Sequence, residues 1–120
     1  MDIPIIANFY GDVFAFESTE RAQYEIEPID IYRKNCTLYD GEGRLLKAEL
    51  LGRRSWFSGD WTGIKIFSAE KNPEHANELK TILVDYLSDS ALPSNSRDKL
   101  GLCSLHDLIQ ELVRRNGWGL

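Results

Sequence analysis

The sequence predicts an α+β domain: a mostly antiparallel sheet of four to five strands, two C-terminal helices packed on one face, and a short helix near the N-terminus. Three observations carry this. Apolar and charged side chains alternate through Arg44 to Leu51 and Gly63 to Ala69, the two-residue period of strands with one dry face. Leu79, Ile82, Leu83, Tyr86 and Leu87, and again Leu105, Leu108, Ile109, Leu112 and Val113, recur at three- and four-residue steps, each set forming one helical stripe. Turn signals at Gly11-Asp12 and Asp40-Gly41-Glu42-Gly43 punctuate the early apolar runs.

Taken in order, Ile3 to Phe9 and Val13 to Phe16 flank Gly11-Asp12 and predict a hairpin. Ser18 or Thr19 then caps a short helix over Glu20 to Glu25, which Pro28 ends. Ile29 and Ile31 alternate with Asp30 and Tyr32 in an extended pattern, and Cys36 to Tyr39 leads through the Asp40–Gly43 turn into an antiparallel partner, Arg44 to Leu51. In that partner Leu46, Ala48 and Leu50 share the dry face while Lys47 and Glu49 face water. A loop holding Trp56, Phe57 and Trp61 precedes the strand that carries Ile64 and Ile66. Asn72-Pro73 reads as a helix entrance, with Asn as cap and Pro at the first helical position. Ser104 and Asp107 cap the last helix, which Arg114, Arg115 and Asn116-Gly117 close, and Ser88 to Cys103 forms a long polar link between the two helices.

A chain of 120 residues fits one domain, residues 1–120, and 42% apolar content with thirteen aromatic side chains is enough for a core. The N-terminus has no basic start and apolar stretch of a secretion signal, and no apolar run approaches a membrane span, so a cytoplasmic protein is expected. Cys36 and Cys103 are too few for a disulfide framework and are expected as reduced thiols, at least one of them buried.

Charge is segregated. Asp2, Asp12, Glu17, Glu20, Glu25, Glu27 and Asp30 face one cation, Arg21, within the first thirty residues, a balance of −6 in a chain of net −5. Such a field attracts a basic surface and repels phosphate. Glu20, Glu25, Glu27 and Asp30 cluster around the short helix and the segment after it and are the candidate steering groups, with Trp56, Phe57 and Trp61 as aromatic anchors.

Two rival chemistries have weaker signatures. Arg53-Arg54-Ser55-Trp56-Phe57-Ser58-Gly59-Asp60-Trp61 interleaves cations and rings as single-strand nucleic-acid binders and small regulatory modules do, but a pI near 5.0 disfavours an approach to phosphate. Cys103 and His106 are the tightest thiol and base pair in sequence, with no third group to orient them, so no catalytic set is expected. His75 lies beside Glu74 and Glu78 without the further spacing a metal site needs. The carboxylate pairs Glu25 with Glu27 and Asp85 with Asp89 read as solvated charge. No glycine pattern joins a strand to a helix in a phosphate cradle, and no cofactor is expected.

The stretch Phe16-Glu17-Ser18, Ala22, Tyr24 and Glu27-Pro28-Ile29-Asp30-Ile31, followed by Tyr39-Asp40-Gly41-Glu42-Gly43-Arg44-Leu45-Leu46, resembles small bacterial immunity proteins of toxin systems. It spans about a third of the chain and consists of a cap, a helix stop and a hairpin turn. The resemblance implies a cytoplasmic antidote that docks on a basic toxin, such as a nuclease domain, and blocks it without turnover. It transfers no contact residue, so the site assignment rests on charge and aromatic content alone.

Overall fold

The computed structural model describes residues 3–52, 61–88 and 96–120. Chain order is β1 (Ile5–Phe9), β2 (Asp12–Phe16), α1 (Thr19–Glu25), α2 (Pro28–Tyr32), β3 (Thr37–Tyr39), β4 (Leu45–Leu51), β5 (Gly63–Ser68), α3 (Ala76–Leu87), α4 (Ser96–Gly101) and α5 (Leu105–Asn116). The five strands form one antiparallel sheet in the order β2-β1-β3-β4-β5. The predicted α+β class, the hairpin across Gly11, the Asp40–Gly43 turn and the two C-terminal helices are all present. Tyr10 and Gly11 both take positive φ (51° and 102°), the geometry that a two-residue hairpin turn demands.

Both faces of the β2-β1-β3 half of the sheet are covered, while β4 and β5 keep the wet side that their alternation predicts. Successive residues of a strand face opposite ways, so β1 sends Ile6 to one side and Ile5 and Ala7 to the other. Ile6, Val13, Ala15 and Tyr39 meet α3 and α5 through Leu79, Leu83, Leu108 and Leu112. On the opposite side Ile5, Phe16, Leu38, Leu46, Ile64 and Ile66 form a second core with Ala22 and Ile26 of the α1 segment. The C-terminal helices reach only the β2-β1-β3 half of their face, so Lys47 and Glu49 of β4 and Lys65 of β5 remain exposed there. The outer edges are closed by side-chain and tail contacts. Gln23 Oε1 accepts from the Ile66 amide at 2.8 Å, and the Gly119 amide donates to the Ala15 carbonyl at 2.8 Å.

Three boundaries differ from expectation. α1 ends at Ile26, whose amide donates to the Ala22 carbonyl, and Pro28 then opens a second helix instead of ending the first. Ile29 to Tyr32, expected as extended, is that helix: Pro at its first position removes an amide that would have had no partner. α3 starts at Ala76, three residues after Pro73: the Asn72 carbonyl and Glu70 Oε1 both accept from the Glu74 amide, at 2.8 and 3.1 Å, and no side chain caps the helix at His75. The polar link before α5 contains α4, while residues 89–95 lie outside the described residues. α5 begins as expected, with Ser104 Oγ accepting from the Asp107 amide at 3.1 Å, and stops at Gly117, φ 72°.

Candidate functional site

The acidic candidates lie on α1 and α2. Ser18 Oγ accepts from the Arg21 amide at 3.1 Å and starts α1, which leaves Glu20 exposed in its first turn. One turn on, Arg21 pairs with Glu25 at 3.2 Å and lies over the Tyr24 ring, 5.5 Å from its centroid, so the one cation of the opening segment offsets Glu25. Glu27 is the exposed residue that caps α2, with no side-chain bond to the helix amides. Asp30 Oδ1 accepts from Asn35 Nδ2 at 3.2 Å and is half-buried.

Packing brings Glu27 together with Trp61. The Trp61 ring lies against Tyr32, with centroids 4.9 Å apart and planes inclined by 35°. Glu27, Pro28, Ile29 and Trp61 line a hollow of about 340 Å³. A carboxylate at the rim of an aromatic wall suits a cationic side chain, which gains from both the charge and the ring face. Glu20 and Glu25 stand on the preceding helix, Asp12 lies apart in a hollow with Asp85 and Tyr86, and Trp56 and Phe57 lie outside the described residues. The Arg53–Asp60 part of the cation-aromatic segment is likewise outside them.

The thiols are both half-buried and free. Burial, with a smaller contribution from Asp30, pushes Cys36 up to about 11, which keeps it protonated at neutral pH. Cys103 Sγ donates to the Lys99 carbonyl at 3.5 Å, and His106 Nε2 contacts Gln110 Nε2 at 3.0 Å, so each engages its own helical neighbourhood. Among the described residues no group of three or more His, Cys, Asp or Glu side chains is placed to hold a metal ion.

Two polar centres escaped the sequence reading. Asp40 is fully buried in the β3–β4 turn; Oδ1 accepts from the Glu42 and Arg44 amides at 2.9 and 2.8 Å, and Oδ2 meets Arg44 Nη1 at 3.1 Å. Glu70 ties β4 to the α3 entrance: Oε1 accepts from the Leu45 and Glu74 amides at 2.8 and 3.1 Å, and Oε2 meets His75 Nδ1 at 2.8 Å. Burial would raise the Glu70 carboxyl, but the bonds from Leu45, His75 and Glu74 outweigh it and hold the group below the usual range. The same bond raises His75, which Glu78 and Glu74 also favour in its charged form. Next to this clamp Tyr39 Oη donates to Glu78 at 2.8 Å, and burial together with that carboxylate raises the phenol. The Asx-type acid before Gly41 was a visible signal for the first centre; nothing local marks the second.

Comparison with protein-family models, with curated proteins and with solved structures returns no match. Among the described residues no helix is long and apolar enough to cross a membrane.

Proposed function

We propose that this chain is a non-enzymatic binding domain that neutralises a basic protein by stoichiometric docking, in the manner of the bacterial immunity proteins its sequence resembles. The observation that carries the reading is the hollow where Glu27 meets Trp61, backed by Tyr32. A lysine or arginine of the partner enters there, while the exposed Glu20 and the net charge of the opening segment speed its approach. Aromatic side chains in such a pocket set how long a complex lasts, whereas rim charges set how fast it forms. The act takes place in the cytoplasm and consumes no cofactor.

The test is co-purification with the product of the adjacent reading frame, co-expressed with this chain. A one-to-one complex with a basic domain, whose activity is lost on binding, is the expected result. A basic neighbour that stays active and unbound at low salt overturns the reading.

A further inference from the structure

A notch interrupts the sheet between β3 and β4. The β3–β4 register stops at Leu38 opposite Leu46, although β4 runs on to Leu51. Hydrogen-bond parity tells which way the remaining backbone groups point. The Ala69 amide donates to the Leu45 carbonyl, so the odd-numbered residues of β4 bond to the β5 side, and the Asp40 amide donates to the Arg44 carbonyl, so the even-numbered ones face β3. The Ile66 amide, turned outward to Gln23, fits the same alternation. Ala48 and Leu50 therefore direct N–H and C=O groups to a side where, among the described residues, no strand pairs with them.

β3 is short because its approach is pinned. The Asn35 amide donates to the Asp30 carbonyl at 2.8 Å, its side chain bonds Asp30 at 3.2 Å, and Lys34 takes φ 57°. The chain therefore leaves the α2 turn and joins the ladder only at Thr37. The space beside β4 is a cavity of about 540 Å³ whose lining includes Ile31, Lys34, Cys36, Lys47, Ala48 and Phe67. Gln23 and the Gly119 amide guard the outer edges of the sheet, but no comparable contact closes this inner one among the described residues.

We propose that the notch binds an extended, alternately apolar and acidic segment of a partner protein, which adds to β4 as a strand along the line that β3 leaves. Unmet backbone donors and acceptors on alternate residues are what a peptide backbone recognises. A residue placed opposite Ala48 shares the apolar face of Ile31 and Leu46, and its neighbours fall on the face of Lys47. Charge selects the sign. Lys34 and Lys47 are exposed, whereas Glu49, the acid in the lining, stands directly opposite Lys65 in the β4–β5 register.

The probe is an octapeptide of alternating valine and glutamate with blocked ends, titrated into isotope-labelled protein at up to about 1 mM, the range of a weak single-strand contact. Binding is expected together with at least tenfold slower exchange of the Ala48 and Leu50 amides, which exchange faster than those of Lys47 and Glu49 in the free protein. N-methylation of alternate peptide amides is expected to weaken binding tenfold or more. Lys47→Glu is expected to transfer the preference to a valine-lysine peptide, and Ala48→Pro, which deletes an amide that β5 does not use, is expected to abolish binding. Glu27→Lys and Trp61→Ala leave the peptide bound, which separates this site from the acidic hollow. The proposal is overturned by no binding, by equal binding of the N-methylated peptide, by Ala48 and Leu50 amides already protected in the free protein, or by pairing with a second copy instead of the peptide. Should Ala48→Pro fold poorly, the exchange rates and the Lys47→Glu preference still decide.

Discussion

Replacing Asp40 by Ala removes the carboxylate that organises the β3–β4 turn. Two backbone amides, Glu42 and Arg44, lose their acceptor at 2.9 and 2.8 Å, and Arg44 loses a partner at 3.1 Å. Hydrogen bonds to a charged group contribute about 1.5–3 kcal/mol each, and breaking a buried ionic pair on one side costs about 3–5 kcal/mol. Arg44 retains Glu42 at 3.0 Å and the Lys71 carbonyl at 3.0 Å, so its guanidinium is not stranded. The expected loss for Asp40→Ala is therefore about 3–5 kcal/mol, a large part of the ~5–15 kcal/mol that holds a typical domain together. Asp40→Asn keeps one oxygen for the amides and loses the charge, for a cost of about 1–3 kcal/mol. Urea unfolding followed by far-UV circular dichroism measures both, with an unchanged slope and a lowered midpoint. A loss below about 1 kcal/mol for Asp40→Ala, or equal losses for the two variants, refutes the assignment of this carboxylate as the centre of the turn.

Further outcomes follow from the same contacts. Because Glu70 raises His75, the pair stabilises the fold fully below the unfolded histidine pKa and less as pH rises through the folded one. The lowered Glu70 contributes above its unfolded pKa and less as pH falls through its folded one, so thermal melts of wild type against His75→Gln should diverge most at mildly acidic pH; parallel curves would contradict the clamp. Leu83→Ala, in the core between α3 and the sheet, should cost about 2–5 kcal/mol by urea unfolding, and a loss like that of a surface substitution would mean that this face is not packed. Cys36, held protonated to about 11, should react with iodoacetamide at pH 8 far more slowly than a free cysteine; rapid labelling in the folded protein would refute its burial.

Periodic features were the legible ones. The stripes of α3 and α5 and the alternation of β4 follow from helical and strand geometry acting on nearby residues, so a local pattern suffices to find them. α2 was ambiguous for the same reason: Ile29 and Ile31 suit a strand, and only Pro28 at the first helical position marks the turn of helix. Coverage of both sheet faces had a signal in the consecutive apolar residues Ile5, Ile6 and Ala7 that open β1, which a strand with one wet face does not need. The Glu70 bond to the Leu45 amide and the meeting of Glu27 with Trp61 join residues distant in sequence; the first is set by how the chain after β5 returns past β4, the second by where α2 lies beside Trp61, not by any spacing in the chain.

The docking account is tested most directly by stopped-flow and dissociation kinetics with the basic domain that the proposal places in the adjacent reading frame. Glu27→Lys should lower the association rate by roughly tenfold at low salt with little change in dissociation, as expected of a steering charge. Trp61→Ala should speed dissociation by about tenfold, the kinetic equivalent of losing an aromatic anchor. A complex whose two rates ignore both substitutions would contradict the claim that this hollow receives the partner.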